Sequence, residues 1–348
     1  MALEQRFTRQ GSRLLYRGAP ARLAGIYPRQ SDAAGIEALN VDTAPPLNDL
    51  RARKNNYFRF PMLPYWLYGQ PGFAYSPYFR DNNGTWKLDS FNADYFQRLR
   101  TMLANAAARG FAVQITLFDA TGLEYETADR ETRWPRNPWN EKNNYFNFIL
   151  DEKAPAGGLP EFYHVQHNAK QKELQAKYIQ HVVALTKDYW NVFYEIMNEP
   201  GGGGSDAARR DRIYWADWVT GEIDRETLGG RLIFYNDFSL PTSPGGLGGD
   251  VNFWRANRAT FQYYDRLDGV IFHGDPNEID PSSTQYAFRG EKIFLASSDA
   301  AGTAKQDDPT FNQNAARRAL DLGMPYQAET LKLAVADVLG TLNLTVLI

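Results

Sequence analysis

Val192-Phe193-Tyr194-Glu195-Ile196-Met197 is an apolar, β-rich run that stops at Asn198-Glu199-Pro200, and Gly201-Gly202-Gly203-Gly204-Ser205 follows it. Proline cannot continue a central ladder, so the run is a short strand whose end carries an amide and a carboxylate. The same unit recurs outward from it. Upstream lie Leu23–Ile26, Tyr57–Pro61 and Ala112–Phe118, and downstream lie Arg231–Tyr235, Gly269–Phe272 and Lys292–Ala296. Helical patterns separate them: Tyr95, Leu99, Met102, Leu103 and Ala106 recur at three- and four-residue steps, as do Leu174, Tyr178, Val182 and Leu185. Gly110 caps the first of these helices.

Strands alternating with helices predict a parallel sheet covered by helices. The β-rich tail Leu342–Ile348 is read as the eighth strand. Eight strands would close an α/β, (β/α)8 TIM barrel. An open doubly wound sheet would announce itself by a Gly-rich phosphate turn after an early strand, and none is seen. Ser12–Tyr16 and Ala21–Ala24 flank Gly18-Ala19-Pro20 and read as an N-terminal β-hairpin, about residues 12–25. The chain is expected to be a single domain over residues 1–348.

Composition narrows the function. With 38 Lys+Arg against 41 Asp+Glu, the net charge is −3, so no basic excess exists to neutralise a phosphate backbone, and nucleic acid is not expected as a partner. No apolar run approaches the length of a membrane span. The first residues, Met1-Ala2-Leu3-Glu4-Gln5-Arg6, form no apolar signal core; secretion would require a leader already removed, and a cytoplasmic location follows otherwise. Cysteine is absent, which excludes thiol catalysis and Cys-zinc sites. His164 and His167 do not form a His-Glu-x-x-His pair, and no metal or cofactor is expected.

In a barrel, catalytic residues stand at the C-terminal strand ends. Those ends offer Arg59, Asp119, Asn198-Glu199, Asn236-Asp237, His273 and Asp299. A carboxyl at such a position suits a general acid. Aromatics make up 14% of the chain, and Tyr65, Trp66, Tyr68, Trp86, Trp134 and Trp139 fall in the segments after the second and third strands. Trp and Tyr rings stack on the apolar faces of sugars, so part of this group is expected to line a cleft.

Phe193-Tyr194-Glu195-Ile196-Met197-Asn198-Glu199-Pro200 resembles the fourth-strand motif of the clan A glycoside hydrolases, cellulase-like family five and its relatives. The resemblance runs over about residues 12–300. It implies a retaining (β/α)8 hydrolase in which Glu199 is the acid/base and Asn198 meets the sugar 2-hydroxyl. It further places Arg59 near the nucleophile and His273 at the end of the sixth strand. The opening hairpin resembles the segment that plugs the barrel bottom. Trp134-Pro135-Arg136-Asn137-Pro138-Trp139-Asn140 and Asn143-Asn144 resemble a long loop after the third strand.

One departure matters. The family nucleophile is a Glu at the end of the seventh strand, where this chain reads Ser297-Ser298-Asp299. Asp299 lies 100 residues after Glu199, close to the ~94 expected for three β/α units. Retention needs carboxyls about 5–5.5 Å apart and inversion about 6.5–9.5 Å, and Asp is one methylene shorter than Glu. Asp299 therefore stands as a nucleophile, an inverting base or a residue that has lost catalysis. The expected function is hydrolysis of a β-linked poly- or oligosaccharide, retaining and endo-acting, with Arg59, Asn198, His273, Tyr65, Trp66, Trp134, Trp139 and Asn236 around the substrate. The alternative is a catalytically silent barrel that binds glycans.

Overall fold

The structure, a computed structural model, describes residues 6–27, 39, 43–63, 76–123, 133–146, 160–200, 206–237, 249–273, 279–298, 303–330 and 332–347. Eight parallel strands close a barrel. In chain order they are β4 (Ala24–Tyr27), β5 (Tyr57–Pro61), β8 (Ala112–Asp119), β9 (Val192–Asn198), β10 (Ile233–Asn236), β11 (Gly269–His273), β12 (Ile293–Ser297) and β13 (Tyr326–Glu329). Strand β13 pairs with β12 on one side and with β4 on the other, which completes the ring. The (β/α)8 expectation holds, and seven of its strands lie within a few residues of their expected places.

The eighth does not. The closing strand is Tyr326-Gln327-Ala328-Glu329, and residues 342–347 form neither helix nor strand. The helix Pro309–Asp321 explains the choice, because a parallel strand must be reached by a crossover and this helix supplies it. The tail instead runs beneath the barrel. There the Thr345 N–H donates to the Arg22 carbonyl at 3.0 Å, Asn56 Nδ2 donates to the Thr345 carbonyl at 2.9 Å, and Leu347 is buried.

The N-terminal segment forms three short strands, one more than expected: β1 (Phe7–Gln10), β2 (Arg13–Tyr16) and β3 (Ala19–Pro20), with β2 in the centre. Phe7, Leu14 and Tyr16 join Tyr57, Phe193, Phe234, Ile271 and Leu295 in one apolar cluster that fills the barrel bottom. Arg9 anchors this plug by donating to Asp268 at 2.9 Å.

The covering helices follow their sequence signals. Asn92 caps Ala93–Ala108 by accepting the N–H groups of Asp94 and Tyr95, and Tyr95, Leu99, Met102, Leu103 and Ala106 are its buried face. Gly110 then takes φ +71°, where glycine carries no Cβ penalty. Asn168 caps Ala169–Thr186 in the same way. A further hairpin, β6 (Tyr78–Arg80) with β7 (Trp86–Phe91), follows the second barrel strand.

Candidate active site

The barrel interior changes character along its axis. Above the apolar bottom, the Tyr57 hydroxyl donates to Gln114 Oε1 at 2.7 Å and sits 3.2 Å from Gln327 Oε1. One layer higher lies Arg59, wholly buried. Its Nε and Nη2 donate to the two oxygens of Glu195 at 2.7 and 2.6 Å. Nη2 also meets Asn198 Oδ1 at 2.6 Å, and Nη1 meets Glu329 Oε1 at 3.3 Å. The Tyr27 ring lies beside the guanidinium, 4.9 Å from its centroid. Burial opposes the charge on Arg59, but Glu195, Tyr27 and Glu329 outweigh it and hold its pKa above the usual arginine value. Arg59 thus forms an interior ion pair, with Glu195 as its main partner.

At the mouth, Asn198 is fixed at both ends of its amide. Its Oδ1 accepts from Arg59, and its Nδ2 donates to Asp119 Oδ1 at 3.1 Å. Burial pushes the Asp119 carboxyl up, against hydrogen bonds from Thr121 and Asn198. Asp119 Oδ2 is buried with no hydrogen-bond partner, a group suited to an added hydroxyl or water.

Glu199 follows directly and adopts φ +45°, a left-handed conformation that costs a non-glycine residue about 1–2 kcal/mol. Its Oε1 lies 3.2 Å from His273 Nδ1. The other ring nitrogen of His273 is 2.8 Å from Asn236 Nδ2, which also donates to Glu195 Oε1 at 3.1 Å. An amide N–H facing Nε2 requires Nε2 to accept, so the neutral ring carries its proton on Nδ1 and donates it toward Glu199. A chain of contacts therefore links Glu329, Arg59, Glu195, Asn236, His273 and Glu199. Of the strand-end residues, Arg59, Asn198, Glu199, Asn236 and His273 come together here.

Other expectations fare differently. Trp134 and Trp139 are 0% and 1% exposed, so they are core and offer no open face to a sugar. Trp139 packs edge-on against Tyr78 and Phe162. The reason lies in the asparagines around them. Asn137 Nδ2 holds the Gly122 carbonyl at 2.9 Å, and Asn140 and Asn144 bond back to Trp134 and Pro138, folding the segment down over its own tryptophans. Tyr65, Trp66 and Asp299 lie outside the described residues. Glu329 escapes a sequence reading that takes the tail as the last strand, and Glu195 is hidden inside the apolar fourth-strand run. No group of three or more His, Asp or Glu suited to a metal ion occurs among the described residues.

No protein-family model matches the chain, and no curated protein sequence is similar to it. Solved structures are. A β-mannanase from the blue mussel Mytilus edulis superposes with a TM-score of 0.59 at 13% identity, over 98% of this chain and 97% of its own. A β-1,4-mannanase from the sea hare Aplysia kurodai gives 0.59 at 14% identity, over 96% and 95%. A glycoside hydrolase family 5 structure from Bacteroides vulgatus gives 0.55 at 12% identity, over 96% of this chain and 63% of its own. By these likenesses the chain has the (β/α)8 barrel fold of the family 5 glycoside hydrolases, mannanases among them.

Proposed function

We propose that the protein is a β-glycoside hydrolase that cleaves a β-1,4-mannan-type polysaccharide internally and with retention. The observation that carries this reading is the Glu199–His273–Asn236–Glu195–Arg59 chain at the barrel mouth. It holds one carboxyl at the rim, 17% exposed at its side chain, on a support that is otherwise buried. Glu199 is the general acid that protonates the leaving oxygen and then, as the base, activates water. Asn198, its amide oriented by Arg59 and Asp119, keeps a second N–H for a sugar hydroxyl. The opposing carboxylate belongs to the last two strands, where Asp299 and Glu329 are the candidates. Mannan is the favoured substrate because several structural neighbours are named as mannanases.

Reducing-sugar release from β-mannan, β-glucan, xylan and galactan tests the proposal, with wild type compared against Glu199→Gln. Release that is greatest on mannan and lost in the variant is expected. Binding of a polysaccharide without hydrolysis would replace the reading with a silent glycan-binding barrel.

A further inference from the structure

Resting on that reading, we infer that Glu329, at the end of the eighth strand, is the catalytic nucleophile facing Glu199. The ring order puts β13 four strands from β9 in either direction, so the two carboxylates stand on opposite walls of the barrel. A sugar in the mouth would lie between them.

The other carboxylates at described strand ends are committed elsewhere. Glu195 takes five donors, from Arg59 twice and from Gln114, Thr116 and Asn236. Asp237 Oδ2 accepts the Val251 N–H at 2.9 Å and so fixes the start of the helix Gly249–Ala256. Asp119 stands on β8, adjacent to β9, and holds Asn198. Burial raises its pKa, against the hydrogen bonds from Thr121 and Asn198.

Glu329 is held as well, but on the wall opposite Glu199 and by groups of its own and the neighbouring strand together with Arg59. Its Oε1 collects Arg59 at 3.3 Å, Gln327 Nε2 at 3.2 Å and Ser297 Oγ at 3.4 Å, and its backbone N–H donates to Ser298 Oγ at 2.9 Å. Both seventh-strand serines thus serve to place the eighth-strand carboxylate. The Arg59 guanidinium beside it supplies a positive charge that complements an ionised nucleophile.

The step balances as follows. One Glu329 oxygen bonds to the anomeric carbon while the glycosidic C–O bond breaks, and the leaving oxygen takes the Glu199 proton. Water then attacks the same carbon and gives its proton to Glu199, and the ester bond to Glu329 breaks.

The test is covalent trapping of the wild-type enzyme with a 2-deoxy-2-fluoro-β-glycosyl fluoride of whichever sugar it hydrolyses, followed by tryptic mass mapping. Trypsin separates the candidates, since Glu329 falls in Ala319–Lys332 and Asp299 in Ile293–Lys305. The expected label is on Ala319–Lys332, with Glu329→Gln reducing kcat/KM by about a thousandfold or more. A label on Ile293–Lys305, or hydrolysis without any label on Ala319–Lys332, overturns the assignment of Glu329 and leaves the hydrolase reading standing. No hydrolysis of any of the four polysaccharides overturns both.

Discussion

Glu199 meets His273 across 3.2 Å, and the far nitrogen of the same imidazole rests on Asn236. The carboxylate at the rim is therefore positioned from the sixth strand while its own backbone sits in a strained left-handed turn on the fourth. Strain of this kind persists where surrounding contacts over-determine a side chain, as at sites built for chemistry.

As the general acid, Glu199 matters most where the leaving group is poor. Glu199→Gln should lower kcat on polysaccharide by about 10²–10⁴-fold. On a dinitrophenyl glycoside, whose leaving group needs no proton, the first step should be almost unaffected. Burst kinetics on the two substrates check this; equal losses on both would remove Glu199 from the acid role.

His273 touches Glu199 and Asn236, so its removal should act on the chemical step and not on sugar affinity. His273→Ala is expected to lower kcat by roughly 10–100-fold with KM little changed, the pattern of an interaction made mainly in the transition state. Asn236→Ala should give a similar but smaller loss, because it releases the tautomer that Asn236 selects. Steady-state kinetics on the polysaccharide decide it; a rise in KM alone would make His273 a sugar contact instead.

Arg59 pairs with both Glu195 and Glu329 in one buried layer. Arg59→Met leaves two buried carboxylates without their counter-charge, which typically costs about 3–5 kcal/mol. The double change Arg59→Met with Glu195→Met should recover part of that loss, because it removes the main stranded charge. Urea unfolding of the three proteins measures it, and additive losses would show that the pair is not coupled.

Much of this arrangement is legible in the chain, and the exceptions have physical causes. The strand ends at Arg59, Asn198, Asn236 and His273 show because parallel strands buried on both faces read as apolar runs, against which a polar terminus stands out. Tyr326-Gln327-Ala328-Glu329 hides because half of its residues are polar and face the interior network. The tail, with Leu342, Leu344, Val346 and Leu347, looks more like a strand than the strand itself. Trp134 and Trp139 mislead for a related reason. A polar, Asn-rich segment suggests an open loop, yet its asparagines spend their amides on backbone carbonyls and seal the rings inside.

Lys292 gives a pH test independent of catalysis. At the foot of the seventh strand its amine donates to the carbonyls of Tyr264 and Leu267 at 2.8 and 2.5 Å, and burial pulls its pKa down from 10.5 to about 8. Between those values the unfolded chain binds a proton that the folded chain does not, so stability rises with pH across that window. Below pH 8 both states are protonated and the full penalty of the buried charge remains. The 8-to-10.5 window corresponds to about 3 kcal/mol at 1.36 kcal/mol per unit. Lys292→Met removes the titration. The wild-type stability measured by urea unfolding should therefore climb relative to the variant between pH 8 and 10.5. Parallel curves for the two proteins over that range would show that Lys292 titrates normally in the folded state.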